Sequence, residues 1–92
     1  MRISQVKRCV KEVEGFDVEF YKHGIRVHGN TKISMKKYGF KRATPANYST
    51  SKFCFYRLPT EFDAGILDYQ GNLAHGNTRL NTIRNQYMLS KV

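Results

Sequence analysis

From Ile3 to Glu14 the apolar residues recur at Ile3, Val6, Val10 and Val13, the three- and four-residue spacing of one helical face. This spacing predicts an opening helix that turns Ser4, Lys7, Arg8, Lys11 and Glu12 outward, places Cys9 beside the apolar stripe and stops at Gly15. At Phe16 the period drops to two. Phe16, Val18 and Phe20 alternate with Asp17, Glu19 and Tyr21 as a half-buried strand does, and His23-Gly24 sits where a tight hairpin turn belongs. A second strand over Ile25–His28 is expected to point Ile25 and Val27 inward. After the Gly29-Asn30 turn, a third near Lys32–Lys36 would point Ile33 and Met35 inward. In this register one open sheet face carries Tyr21, Arg26, His28, Lys32 and Lys36, an arrangement that a one-residue slip would undo.

Between Lys37 and Ser51, Gly39, Pro45, Asn47 and several hydroxyl residues mark a loop, with Lys37, Lys41 and Arg42 set around Tyr38 and Phe40. Lys52–Leu58, rich in aromatics and closed by Pro59, reads as another strand. Phe62–Tyr69 holds a short further one around Ile66 and Leu67. A closing helix is expected from about Thr78 to Met88, where Leu80, Ile83 and Tyr87 share a face and Asn77 or Thr78 caps the start. The order predicts an α+β fold: an N-terminal helix, an antiparallel three- to four-stranded meander, and a C-terminal helix packed on one sheet face.

The 92 residues leave room for one core, so residues 1–92 are expected to form one small domain, and a 40% hydrophobic content is that of a chain that folds. No run approaches the ~20 apolar residues of a membrane span. The charged start from Arg2 to Arg8 is unlike an export signal, so a cytoplasmic location is expected. Cys9 and Cys54 make no disulfide framework or zinc spacing, and are expected to be reduced, buried thiols with no metal or other cofactor.

Charge adds the main functional cue. Sixteen Lys and Arg against seven Asp and Glu give a net charge of +9, which points to a polyanionic partner. Phe20 to Thr60 contains no Asp or Glu but holds nine cations and eight of the twelve aromatic residues. Phosphates reward such cations by counterion release and unstacked bases can lie on such rings, although most Phe residues in so small a domain are needed for packing. Nucleic acid is therefore the expected partner, RNA or single strands ahead of a sequence-read duplex, since no recognition-helix motif is present. The expected contacts are Arg26, Lys32, Lys36, Lys37, Tyr38, Lys41, Arg42, Arg79 and Arg84. An inhibitor or interaction module docking on an acidic protein surface is the alternative that uses the same charge.

One motif repeats. His28-Gly29-Asn30-Thr31-Lys32-Ile33 recurs as His75-Gly76-Asn77-Thr78-Arg79-Leu80, at an offset of 47 from 28 to 75, and Gly24 aligns with Gly71. Turn chemistry explains such a recurrence without common descent, because Gly-Asn tolerates positive φ and Thr or Asn caps the next element. A chemical reading uses the histidines: His beside a cation can exchange a proton near neutrality and steady a phosphate. His23, His28 and His75 are thus the candidate catalytic residues of a metal-independent ribonuclease. No carboxylate cluster, phosphate loop or Cys-His pair supports another enzyme class.

At its two ends, in the opening helix running into Gly15-Phe16 and in Leu73-Ala74-His75-Gly76-Asn77 leading into the closing helix, the chain resembles HicA-type mRNA interferase toxins. The resemblance spans about half the chain. It implies a double-stranded-RNA-binding-like fold of helix, three strands and helix, and ribonuclease activity. The family's catalytic His lies in a Gly-Ser-His element on the early hairpin, where this chain has Lys22-His23-Gly24 and His28 without the Gly-Ser. The stretch from Lys37 to Ser51 is an addition to that plan.

Overall fold

The computed structural model describes residues 1–90. Its elements are α1 (Ile3–Glu14), β1 (Val18–Lys22), β2 (Ile25–Arg26), α2 (Thr50–Arg57), β3 (Asp63–Ile66) and α3 (Leu80–Leu89). The strands form an antiparallel sheet in the order β2-β1-β3. The fold is α+β, as the pattern of the chain predicts, and among the described residues no helix is long and apolar enough to cross a membrane.

Helix α1 occupies the predicted span. Ile3, Val6 and Val10 are fully buried, and Gly15 ends the helix at φ 85°, its N–H donating to Lys11 O. Only a residue free of Cβ strain takes that left-handed conformation easily. The hairpin between β1 and β2 also forms where expected. His23 (φ 52°) and Gly24 (φ 77°) are both left-handed, which matches the strand twist and seats Lys22 opposite Ile25 and Tyr21 opposite Arg26.

Three expectations need correction. The third strand near Lys32–Lys36 shrinks to a single bridge between Arg2 and Lys32, because Ile33 N–H and Met35 O are engaged by Met1 rather than by β2. Ile25, expected inward, is 73% exposed at the free edge beside the turn. The segment Lys52–Leu58 is helical, not extended. Its aromatic content suggests a strand, but Ser49 Oγ accepts from Lys52 N–H, and Thr50 and Ser51 donate their free N–H groups to Thr78 O and Gly76 O. These three contacts satisfy amides that an isolated helix leaves open, so tertiary structure overrides local propensity.

That capping is one half of a repeated design. Ile3 and Ser4 donate to Thr31 O and Gly29 O (3.0 and 2.9 Å), and Thr50 and Ser51 donate to Thr78 O and Gly76 O (2.9 and 3.1 Å). Ile33 N–H bonds Met1 O, and Leu80 N–H bonds Tyr48 O, both at 2.9 Å. The bridge Arg2–Lys32 has its counterpart in Ser49–Arg79, and the ladder pair Tyr21–Arg26 in the bridge Leu67–Leu73, the second hairpin being one residue longer. Residues 1–33 and 48–80 are therefore two copies of one helix-hairpin-turn arrangement. β1 and β3 pair antiparallel with Glu19 opposite Gly65, which are each other's counterparts, so the sheet reads alike from either half. Each His-Gly-Asn-Thr turn lies across the start of its own half's helix. Five matched contacts are more than independent turn chemistry requires, because turn chemistry does not dictate which helix a turn must cap.

Both halves drain into one core of Ile3, Val6, Val10, Phe16, Val18, Phe20, Ile33, Tyr38, Phe53, Leu58, Ile66, Leu80, Ile83 and Tyr87. Phe16 and Phe53, one from each half, meet edge to face at 5.1 Å. Each such ring contributes roughly 1.5–3 kcal/mol by leaving water. Helix α3, within two residues of its predicted bounds, ties the halves together: Tyr87 Oη donates to Leu67 O (2.8 Å) and accepts from Asp17 N–H (3.1 Å).

Candidate nucleic-acid interface

The cations available to a partner are those that the fold does not use. Glu14, at the end of α1 and 2% exposed, gathers an unusual number of donors: Arg57 Nη1 (2.7 Å), Arg84 Nη2 (2.9 Å), Tyr38 Oη (2.8 Å), and the N–H and Oγ1 of Thr44 (2.7 and 3.2 Å). Burying a carboxylate is tolerable only with such compensation. Arg84 also donates to Glu14 O and Thr44 O, and Arg57 to Arg42 O, so this cluster pins the linking loop onto α1, α2 and α3. Burial, and then the bonded Glu14, push the Tyr38 hydroxyl pKa up. Tyr38 and Arg84, both expected at the partner surface, are thus structural, as is Arg57.

Further cations are drawn off elsewhere. Lys7 bonds the buried Glu19 at 3.0 Å, Lys11 lies 3.4 Å from Asp17, and Arg26 lies 3.8 Å from Glu19 while remaining largely exposed. Lys32, Lys36, Lys37, Lys41, Arg42, Lys52 and Arg79 are exposed and, among the described residues, have no carboxylate within 4 Å. Arg79 donates to Asn47 O (2.7 Å). Arg2, Arg8 and Lys22 are likewise exposed without a carboxylate within 4 Å among the described residues, and five of these ten cations lie between Lys32 and Arg42, which contains no helix or sheet strand. The expected cationic sheet face is therefore mostly a cationic loop: with the third strand gone, Lys32 and Lys36 leave the sheet, and Arg26 stays on it opposite Tyr21.

The histidines fall into two kinds. His28 and His75 are exposed and equivalent, each Nδ1 accepting the N–H two residues on, from Asn30 or Asn77, at 3.1 Å. With Nδ1 as the acceptor, Nε2 is the ring nitrogen left to donate. His23 is in the hairpin turn, and it lines an open hollow with Lys22, Arg26, His28 and Thr31. His75 does not border that hollow.

A further surface feature was not legible as such in the chain. Because residues 50–57 are helical, Phe55 and Tyr56 leave the core and stand 72% and 62% exposed, their rings edge to face at 5.2 Å. Tyr48 lies 6.4 Å from Tyr56, and Lys52 Nζ sits 4.1 Å from the Tyr48 ring centre. The signal that could have found this helix is the spacing of Thr50, Phe53, Cys54 and Arg57 after the capping Ser49, and the 47-residue offset, which lays this stretch over α1.

On the other side of α2, a cavity of about 430 Å³ is lined by Thr50, Ser51, Cys54, Gly65, Ile66 and Leu73, among others. Burial pushes the Cys54 thiol up to about 11, so it is a poor nucleophile at neutral pH. Both cysteines are free and half-buried. Among the described residues no group of three or more His, Cys, Asp or Glu is placed to hold a metal ion. Comparison with known proteins gave no match to a family model, a curated protein or a solved structure.

Proposed function

We propose that this chain binds nucleic acid in the cytoplasm, RNA or single strands ahead of a base-read duplex, through the loop cations Lys32, Lys36, Lys37, Lys41 and Arg42 with Arg26 and Arg79. The observation that carries this reading is selective neutralisation. The buried acids Glu14 and Glu19 take Arg57, Arg84 and Lys7, and the exposed Asp17 takes Lys11, while the five cations from Lys32 to Arg42 have no carboxylate within 4 Å among the described residues. An ordinary solvated surface mixes signs; here Glu61, bonded to Ser34, is a carboxylate that joins a run of five cations, and so large an excess suits a polyanion. A loop rather than a recognition helix favours flexible strands and backbone contact over reading of base edges.

The test is a salt series with labelled single-stranded RNA. Affinity is expected to fall linearly on a log-log plot, with a slope of about 0.7 per phosphate neutralised, and Lys37→Ala or Lys41→Ala is expected to make the slope shallower by about that amount. A salt-independent affinity overturns this reading, and a partner captured from lysate that survives nuclease digestion favours an acidic protein partner instead.

A second reading, a histidine-dependent ribonuclease, draws on the hollow shared by His23, His28, Lys22 and Arg26, and on the resemblance of the chain ends to HicA-type interferases. It requires RNA cleavage by the parent protein that His23→Ala or His28→Ala abolishes.

A further inference from the structure

The two halves supply an internal control for what the fold needs from a helix in this position. α1 and α2 carry the same carbonyl caps and stand at equivalent places, yet the residues of α1 equivalent to Lys52, Phe55 and Tyr56 are Gln5, Arg8 and Cys9. The architecture is thus built once without aromatic rings at these positions. In α2 the two rings are mostly in water, where they add no packing to compensate for exposed apolar area. Edge-to-face contact leaves each ring with an open face. The helix contains no acid, and since its Arg57 is held by Glu14, Lys52 is the helix cation open to a partner; no Asp or Glu lies anywhere from Phe20 to Thr60.

These features choose among the possible occupants. A second copy would bring its own net charge of +9 against this face, and a neutral apolar partner would have to desolvate Lys52. A single-stranded nucleic acid offers what both features ask for: flat rings for Phe55 and Tyr56, and phosphates for Lys52. We propose that the outer face of α2, formed by Tyr48, Lys52, Phe55 and Tyr56, is a stacking site for unpaired bases of a single strand. The proposal rests on the nucleic-acid reading above and assigns it a base-contacting surface distinct from the phosphate-contacting loop. Duplex bases are already stacked and cannot lie on these rings, so this face confers a preference for single strands.

Fluorescence anisotropy with a labelled single-stranded RNA and with an RNA duplex, at one salt concentration, tests it. Phe55→Ala and Tyr56→Ala are each expected to weaken single-strand binding about tenfold and to leave duplex binding within about twofold. Phe55→Leu, which keeps apolar area but loses the ring, is expected to behave like Phe55→Ala. Thermal melting of the variants should match the parent. If the parent binds and the Phe55→Ala/Tyr56→Ala double variant binds the single strand equally well, the stacking site is overturned while the nucleic-acid reading stands. Equal losses on both probes, or full rescue by leucine, also overturn it. So does a parent dimer, seen by sedimentation, that the double variant dissolves, since the rings then belong to a contact between copies. If the parent binds neither probe at low salt, both readings fall.

Discussion

Residues 1–33 and 48–80 share a backbone plan and diverge in almost everything their side chains do. In both, a His-Gly-Asn-Thr turn caps a helix through two carbonyls, and the strands pair about Glu19 and Gly65. Glu14 and Glu61 are 47 residues apart, but Glu14 ends α1 whereas Glu61 lies in the turn that follows α2. Glu14 is buried among two arginines, a tyrosine and Thr44, whereas Glu61 is exposed and, among the described residues, bonds only Ser34, through N–H and Oγ. Those bonds hold the Glu61 carboxyl below its usual range. Lys7 and Glu19 form an ion pair in the first half; Cys54 and Gly65 stand there in the second, where the Leu73 side chain packs over Gly65 and all three line the cavity beside α2. The first half thus supplies the electrostatic anchor of the fold, and the second supplies a cavity and an exposed aromatic face. Contacts made by backbone groups persist between the copies because any side chain permits them, whereas side-chain contacts are free to differ.

The largest expected break in this comparison comes from the two glutamates. Glu14→Gln leaves Arg57 and Arg84 without their counter-ion and is expected to destabilise by about 3–5 kcal/mol, read by urea unfolding. Glu61→Gln should scarcely move the same curve, and near-equal losses would show that the halves are not electrostatically distinct. Next come the turn glycines. A Cβ on Gly76 would run into Ser51 Oγ, whereas one on Gly29 would sit 3.4 Å from Ser4 Cβ. Gly76→Ala is expected to cost about 1 kcal/mol and Gly29→Ala less, with Ser51→Ala restoring most of the Gly76→Ala loss.

The smallest effect concerns Cys54, which stands where the first half has Lys7. Burial raises its pKa from 9.0 to about 11, so folding favours the neutral thiol. The stability it contributes is complete below about pH 9 and is lost as the pH rises through 11. Cys54→Ser should flatten that alkaline decline in melting temperature. In the parent, thiol reagents at pH 8 should modify Cys54 slowly, and faster once urea unfolds the chain.

Much of the frame was legible in the chain: α1 with its Gly15 stop, the His23-Gly24 hairpin, a strand near Ile66, and α3 from its Leu80, Ile83 and Tyr87 stripe. Each depends on contacts within a few residues, where periodicity and turn chemistry act directly. Helix α2 was not legible, because Phe53, Phe55 and Tyr56 favour a strand locally, while the carbonyls that cap it come from residues 76 and 78. The site was legible in part. The loop cations could be named, but Tyr38 and Arg84 could not be separated from them without knowing that Glu14, distant in the chain, would claim both.

By itself the sequence determined the net charge, the acid-free interval, the repeated His-Gly-Asn-Thr element and the amphipathic helices at either end. Only the tertiary structure decided that the repeat marks two equivalent halves, that two buried carboxylates, Glu14 and Glu19, withdraw part of the charge into the fold, and that the rings of α2 face water. The reason is range. Composition and periodicity are properties of neighbouring residues, whereas which cation meets which acid, and which face of a helix is covered, depend on groups brought together across the chain.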